Sequence, residues 1–399
     1  MKIPVFLGTT IALVCVVDAA IASTPAEIST IAQAVTVEIN LTQAQSIGSG
    51  VIVHKQGDVY TLLTNRHVVC PGKPACATAL STETFQLKFG NGSSLKVPAT
   101  AVKILTKDLD LAAIQFRSSS NLQIAKFAPP GSLKVGDRVY TSGYPLEPRG
   151  YSFNTGRAIS VVNKRLTGDR GGYTVVYDAQ TQPGMSGGGV FDTNGRIVAI
   201  HGQGERFREN TELSDVSASG EISSGNEVGS KIGYNRGIPV RWVVRGLADR
   251  GIRLGDRDPV TPATAAIDNT ADEYFIAGFN KFVEPGSNIR AGKQQAIEAF
   301  TQAIRLNPRY EYAYFLRAIT YYQLKEYRLS LADYNRAIAL NPNLANSYGA
   351  RGILKYTKLN DRAGGIADMQ TAARLAKAQG NNQVLNLALR FLQSWGVKE

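Results

Sequence analysis

Between about Ala34 and Gly237 the apolar residues of this chain come in short runs, and beyond about residue 270 they recur at helical spacing. That change of period sets the architecture. The runs AVTVEI, GVIV, VYTLLT, FQLKF, DLAAIQF, RVYTSGY, YTVVYD and RIVAI are rich in β-branched and aromatic residues and are bounded by Gly, Asn and Asp. Side chains branched at Cβ fill a pleated face well, and the bounding residues turn the chain, so the runs read as an antiparallel β domain. Two helices frame it. Thr24-Pro25-Ala26-Glu27 has capping-box spacing with proline at the first helical position, which predicts a short leading helix. Ile238 to Ala248 has helical spacing and would close the domain.

GDRDPVTPATAAIDNT, with Pro259 and Pro262 and no apolar face, reads as a linker within residues 251–270. Beyond it, QAIRLNP ends at Pro308 and RAIALNP at Pro342, a period of 34 residues. In the central unit Tyr314, Ala318, Tyr321, Ser330, Tyr334 and Ala337 alternate large and small on two facing helices. The pattern resembles the tetratricopeptide repeat. A first copy keeps Ala296, Phe300, Ala303 and Pro308 around an insertion at VEPGSN; a third keeps Tyr348, Gly352, Met369 and Ala372 with an offset turn. NQVLNLALRFLQSW is expected to cap the array. Stacking buries what one helix pair cannot. The resemblance implies that residues 271–399, about three repeats and a cap, recruit a protein partner or position a substrate.

The N-terminus, MKIPVFLGTTIALVCVVDAAIAS, places Lys2 before an apolar stretch that ends in Ala20-Ile21-Ala22, the pattern of a secretory signal peptide over residues 1–22. Asp18 interrupts a run already short for a membrane span. The expectation is export to a periplasm or outside the cell, with no stable span once the segment is removed. In such a compartment Cys70 and Cys76, separated by PGKPA, either close a small disulfide or remain thiols; without matching His or Cys partners they argue against a zinc site. The net charge of +12 comes from dispersed basic residues. With no dense basic block interleaved with aromatics, it argues against a nucleic-acid partner.

TQPGMSGGGV, Thr181 to Val190, holds Ser186 between Met185 and three glycines. A serine hydroxyl becomes a useful nucleophile only with a base in hydrogen-bond reach, a group that orients the base, and donors for the oxyanion. Three histidines are available. His67 ends the apolar run in LLTNRHVVC, His54 precedes the turn-like KQGD and reads as an exposed loop residue, and His201 lies in RIVAIHGQG. KDLDLAAIQF offers Asp108 and Asp110; Asp110 opens an apolar run that would hold it rigidly, whereas Asp108 reads as a solvated turn residue.

TNRHVV, DLAAI and GMSGG, in that order, resemble the trypsin-like serine proteases, in particular the exported bacterial HtrA and glutamyl endopeptidase groups, over roughly residues 30–250. The resemblance implies a domain at 23–250 made of two six-stranded β-barrels side by side, one over about 34–117 and one over about 132–237. It implies a triad of His67, Asp110 and Ser186, an oxyanion hole from the amides of Gly184 and Ser186, and no metal or organic cofactor. Met185 stands where digestive members carry an acid, and no IVGG-like start follows the signal segment, so activation by a new N-terminus is not expected.

Thr181 and His201 occupy the two positions that receive a substrate carboxylate in glutamyl endopeptidases, which implies cleavage after Glu or Asp. The other reading makes His201 a core residue and the pocket a small apolar one. Gln180, near the expected pocket floor, carries no charge to attract Arg or Lys. The backbone of Gly202, Gln203 and Gly204 is expected to pair with extended substrate. The polar stretch over 205–231 is either a lid or an exposed insertion. A rival function is a non-catalytic scaffold that acts through its repeats.

Overall fold

The computed structural model describes residues 23–41, 47–70, 84–106, 108–162, 171–204, 234–254, 270–283 and 289–397. The leading helix, α1 (Pro25–Val35), starts as its spacing predicts. Thr24 Oγ1 accepts the Glu27 amide at 3.3 Å, and Glu27 Oε2 accepts the Thr24 amide at 2.7 Å. Such a cap contributes about 1 kcal/mol. Ile28, Ala32 and Val35, one turn apart, form its buried stripe.

A first sheet follows: β1 (Thr36–Leu41), β2 (Ile47–Gln56), β3 (Val59–Thr64), β4 (Thr84–Phe89), β5 (Ser94–Pro98), β6 (Val102–Ile104) and β7 (Ala112–Arg117), in the order β5-β4-β1-β2-β3-β7-β6. The period of two is visible in β4, where Phe85, Leu87 and Phe89 are buried and Lys88 is exposed. Seven strands stand where six were expected. Pro98 has no amide hydrogen with which to continue a ladder, and Ala99–Ala101 form a 3-10 turn, so the run SLKVPATAVKI bends into two strands. Those two strands are the outer members of the sheet, and the turn between them reaches only about 10 Å. The sheet therefore curls until its edges approach, around Val37, Ile39, Leu62, Phe85, Leu87 and Ile114. His54 lies in β2, half-buried and paired with Thr61 just past a bulge, rather than in an exposed loop. The hairpin turn comes later, at Gly57 with φ 60°.

The second half is a closed barrel of six strands, β8 (Arg138–Gly143), β9 (Ser152–Val161), β10 (Val175–Tyr177), β11 (Gly189–Phe191), β12 (Ile197–Gly204) and β13 (Asn235–Pro239), in the order β10-β13-β12-β11-β8-β9. A four-residue helix, α2 (Arg66–Val69), follows β3, and α3 (Val240–Ala248) follows β13. The seam between the halves is apolar: Ile28 and Val35 of α1, Leu63, Leu111, Ile200, Ile238, and Val243 and Leu247 of α3 meet in one cluster. Ile252 and Leu254 join it, so the first residues assigned to the linker are packed into the domain. The remainder of the expected linker, 255–269, lies outside the described residues, as do 1–22, Cys76 and 205–233. Cys70 is buried and disulfide-bonded.

The C-terminal part is helical: α4 (Ala271–Val283), α5 (Ile289–Leu306), α6 (Glu311–Gln323), α7 (Tyr327–Leu340), α8 (Ala345–Lys358), α9 (Arg362–Ala378) and α10 (Asn382–Ser394). Ala318, Ser330, Tyr334 and Ala337 are buried between α6 and α7. Gly352 lets α8 meet α9, since a Cβ there would lie 2.9 Å from the Gly365 carbonyl. Arg317 grips Asp333 through two hydrogen bonds of 2.7 and 2.8 Å, and Arg351 grips Asp368 in the same way.

The array is docked on the second barrel. Phe275 and Phe279 of α4, with Tyr312 and Phe315 of α6, share a cluster with Ile159, Val176 and Tyr234. The Tyr310 hydroxyl lies 2.6 Å from Asp272 Oδ1 and 3.0 Å from the Ile159 carbonyl, and Tyr312 donates to Asp178 at 3.3 Å. Arg236 of β13 bonds Asn280 and lies over the Phe279 ring. Among the described residues no helix is long and apolar enough to cross a membrane.

Candidate active site

The site grows from the ends of strands. β3 finishes at Thr64, and the chain turns at once into α2, which places His67 at the rim of the first sheet with its side chain 46% exposed. Asp110 precedes β7, the strand paired with β3, so both residues are carried by neighbouring strands of one rigid sheet. His67 Nδ1 lies 2.6 Å from Asp110 Oδ2, and the His67 amide donates to Asp110 Oδ1 at 2.9 Å. The Asp110 carbonyl accepts from the Arg66 amide at 3.2 Å and from Asn65 Nδ2 at 3.0 Å. Tyr173, from the second half, donates to Oδ2 as well. Burial pushes the Asp110 carboxyl up, but the hydrogen bond and charge of His67, with the Tyr173 hydroxyl, hold it below the usual carboxylate range. Asp108 is exposed.

Ser186 sits on the loop that enters β11. The loop is clamped by the first sheet: the Ser49 amide donates to the Ser186 carbonyl at 2.8 Å, and Ser49 Oγ donates to the Gly184 carbonyl at 2.8 Å. Ser49 Oγ also accepts the Tyr144 amide at 2.8 Å. On the other side, the Gly187 amide donates to the His201 carbonyl and the His201 amide to the Gly188 carbonyl. Gly184 has φ 97°, and a Cβ there would lie 2.6 Å from the Tyr144 carbonyl; Gly187 has φ 90°, and a Cβ would strike Ser49 and Thr64. Both positions require glycine. The amides of Gly184 and Ser186 donate to no acceptor among the described residues, although Met185, between them, donates to Gln182. Ser186 Oγ donates to the Gly202 carbonyl at 3.3 Å rather than to His67. Gly202 in turn lies against Tyr173, the Asp110 partner, so Ser186, Gly202, Tyr173, Asp110 and His67 form one contiguous group.

The residues expected to select substrate divide. His201 is 2% exposed, with Nδ1 2.6 Å from the Tyr177 hydroxyl. Thr181 is buried and gives its hydroxyl hydrogen to Asn235 Oδ1, and Asn235 is oriented by a 2.6 Å bond from Nδ2 to the Ala179 carbonyl. Gln180 is half-buried, and its Nε2 donates at 2.6 Å to Asn381, the residue that caps α10. The backbone of Gln203 and Gly204 pairs with Arg236 and Asn235 of β13. On the opposite edge β12 pairs with β11 as far as Ile200 and His201 bonds Gly187 and Gly188, so among the described residues that edge has no strand partner at Gly202–Gly204. Among the described residues no cluster of three or more His, Cys, Asp or Glu is placed to hold a metal.

Ser49, Tyr173 and Asn235 were not singled out in the sequence. A small polar residue between two glycines in IGSGVIV, and a tyrosine just after Gly171-Gly172, are the signals that could have marked the first two. Asn235 left none.

Residues 48–200 match the family model of the trypsin-like peptidase domain, and residues 311–344 that of the tetratricopeptide repeat. A probable periplasmic serine endoprotease, DegP-like, of Pseudomonas putida is 30% identical over 162 residues, which is 40% of this chain and 30% of that protein. The Do-like serine protease HtrA of Lactococcus lactis is 29% identical over 164 residues, 40% of this chain and 37% of that one. The chain thus spans about a third of the length of these relatives. The solved HtrA-type protease AlgW with tripeptide aligns over 57% of this chain and 64% of its own at 21% identity, with a TM-score of 0.40. Residues 48–200 are a trypsin-like peptidase domain with HtrA-like relatives, and a tetratricopeptide repeat follows it in the same chain.

Proposed function

We propose that the chain is an exported serine endopeptidase in which Ser186 is the nucleophile, His67 the general base and acid, and Asp110 the group that orients His67. The observation that carries the reading is the 2.6 Å His67–Asp110 hydrogen bond beside a clamped glycine loop. Asp110 accepts from Nδ1, which leaves Nε2 as the basic nitrogen. Rotation of the Ser186 hydroxyl from Gly202 toward that nitrogen would let His67 take its hydrogen as Oγ attacks a peptide carbonyl. The amides of Gly184 and Ser186 would receive the oxyanion. The imidazolium, stabilised by ionised Asp110, then gives its proton to the departing amine; water reverses the sequence and releases the acid. Extended substrate would add along the open edge of β12 at Gly202–Gly204.

In this reading the side chain before the scissile bond is Glu, or Asp. Tyr177 donating to His201 Nδ1 would leave the hydrogen on Nε2, a donor suited to a carboxylate. Thr181 would add a second donor by turning its hydroxyl from Asn235. The repeats would bring a protein partner or substrate to the protease domain. One observation favours a second reading, a latent or non-catalytic scaffold: the Ser186 hydroxyl is directed to the Gly202 carbonyl.

A library of peptides cut by the full chain decides among these readings. The enzyme reading expects cuts mainly after Glu that vanish in Ser186→Ala, and a weakened Glu preference in His201→Ala with cleavage retained. Cuts spread over apolar residues would discard the acidic pocket. No cuts at all would favour the scaffold.

A further inference from the structure

We infer that Tyr173 is a positioning residue for the His67–Asp110 pair: its hydroxyl, delivered from the second barrel, fixes the carboxylate in the orientation that faces the imidazole and tempers how strongly His67 holds a proton. The inference rests on the reading of His67 and Asp110 as base and orienting acid. Three features of the packing support it.

The first is how the carboxylate is held. Oδ1 takes the His67 amide at 2.9 Å, while Oδ2 takes both His67 Nδ1 at 2.6 Å and the Tyr173 hydroxyl. The torsion that turns a carboxylate is soft, so a group gripped only by His67, through its ring and its amide, would follow that one residue. The Tyr173 contact comes from the other half of the domain and removes that freedom.

The second is the path that brings Tyr173 there. Gly171 and Gly172 have φ of 96° and 84°, a conformation that side chains disfavour. They lay the backbone against Leu109 and Asp110: the Asp110 amide donates to the Gly171 carbonyl at 3.0 Å, and a Cβ on Gly171 would lie 3.2 Å from that of Asp110. A Cβ on Gly172 would run into Leu109.

The third is the space left for the ring. Tyr173 is 1% exposed, and a Cβ on Gly202 would collide with its ring and hydroxyl. The carbonyl of that same glycine accepts the Ser186 hydroxyl. The phenol therefore fills the gap between the strand beside the nucleophile and the carboxylate.

The groups that face this contact are few. His67 faces Asp110 from α2; Asp110, Arg236 of β13 and Tyr177 of β10 act on Tyr173. Burial, then the Asp110 charge and hydrogen bond, hold the Tyr173 hydroxyl far above its ordinary value, so it acts as a neutral donor. A neutral donor on Oδ2 draws off part of the charge that would otherwise stabilise the imidazolium. Without it His67 should be more basic and less well placed.

Tyr173→Phe removes the oxygen and keeps the ring. In the full chain carrying Ser186→Ala, the His67 imidazole is titrated by NMR, a readout that needs no turnover. We expect the midpoint to rise by roughly half a unit to one unit in Tyr173→Phe. With Ser186 present, kcat should fall about tenfold with KM unchanged, and the acid limb of the kcat/KM profile should move up with the titration. An unchanged midpoint together with unchanged kcat would reduce Tyr173 to a packing residue and overturn the inference. Should Tyr173→Phe fail to fold, replacing Tyr173 with 3-fluorotyrosine keeps the shape and strengthens the donor; the midpoint should then fall, and a midpoint that stays put overturns the inference equally. If the wild-type chain cuts no peptide, the enzyme reading fails, and the NMR titration still decides the role of Tyr173.

Discussion

Between the two halves of the protease domain the Tyr173 hydroxyl donates to Asp110, and between the second barrel and the repeats the Tyr312 hydroxyl donates to Asp178. Tyr310 and Asp272 form another such pair at the repeat seam. Burial pushes all three carboxyls up. At Asp110 the hydrogen bond and charge of His67 reverse the direction. At Asp178 the Arg157 amide, Tyr312 and the Arg157 charge pull down by less than burial pushes up, and at Asp272 Tyr310 and Ser160 do the same. One residue pairing thus has opposite electrostatic outcomes, decided by whether an ionisable nitrogen side chain bonds the carboxylate. The inter-barrel seam sustains a negative charge, which suits the stabilisation of an imidazolium. At the repeat seam burial disfavours the ionised forms of Asp178 and Asp272 relative to water.

The largest expected effect separates the two seams by function. Asp110→Asn should lower kcat/KM for peptide cleavage by about 10⁴, because an amide leaves His67 in the wrong tautomer. Asp178→Asn should change it by no more than about twofold. Equal losses at both positions would erase the distinction.

Next in size is a third place, inside the array, where a buried aspartate is bonded by a permanent cation. Arg317→Leu leaves Asp333 without its two hydrogen bonds and should destabilise the array by about 3 kcal/mol, read by urea unfolding of the full chain. A loss under about 1 kcal/mol would mean that the Arg–Asp pairs behave as solvated ones.

The smallest effect is in pH. Asp110 has a lowered value, so its contribution to the inter-barrel seam is complete above the ordinary carboxylate range and lost as pH falls through the lowered value. Asp178 and Asp272 have raised values, so the repeat seam is firmest in acid and weakens as pH rises from the ordinary carboxylate range through the raised values. Amide protection factors should therefore fall toward acid around β7 and toward neutrality around α4 and α6. Parallel trends at the two seams would contradict the comparison.

The sequence carried the architecture where period and punctuation carried it. β-branched runs located the strands, the Thr24–Glu27 spacing marked α1, and the LNP that ends at Pro342 lies at the end of the matched repeat. The bent strand at Pro98 was the visible exception, because a proline that splits a strand and one that bounds it look alike in sequence. His67, Asp110 and Ser186 could be singled out because each lies in a short motif of its own. Tyr173 and Ser49 carried only the weaker mark of the glycines beside them, since their roles come from contacts across the seam, with Asp110 63 residues away and Gly184 135 residues away. The docking of the repeats was illegible for the same reason. The bond from Gln180 to Asn381, 201 residues later, is one contact of that docking.

A fluorophosphonate probe followed by peptide mapping asks most directly whether Ser186 is activated by its neighbours. The account predicts one adduct, on Ser186, absent from Ser186→Ala and slowed at least about a thousandfold in His67→Ala. A wild-type chain that takes no label, or one labelled as fast without His67 as with it, would contradict it.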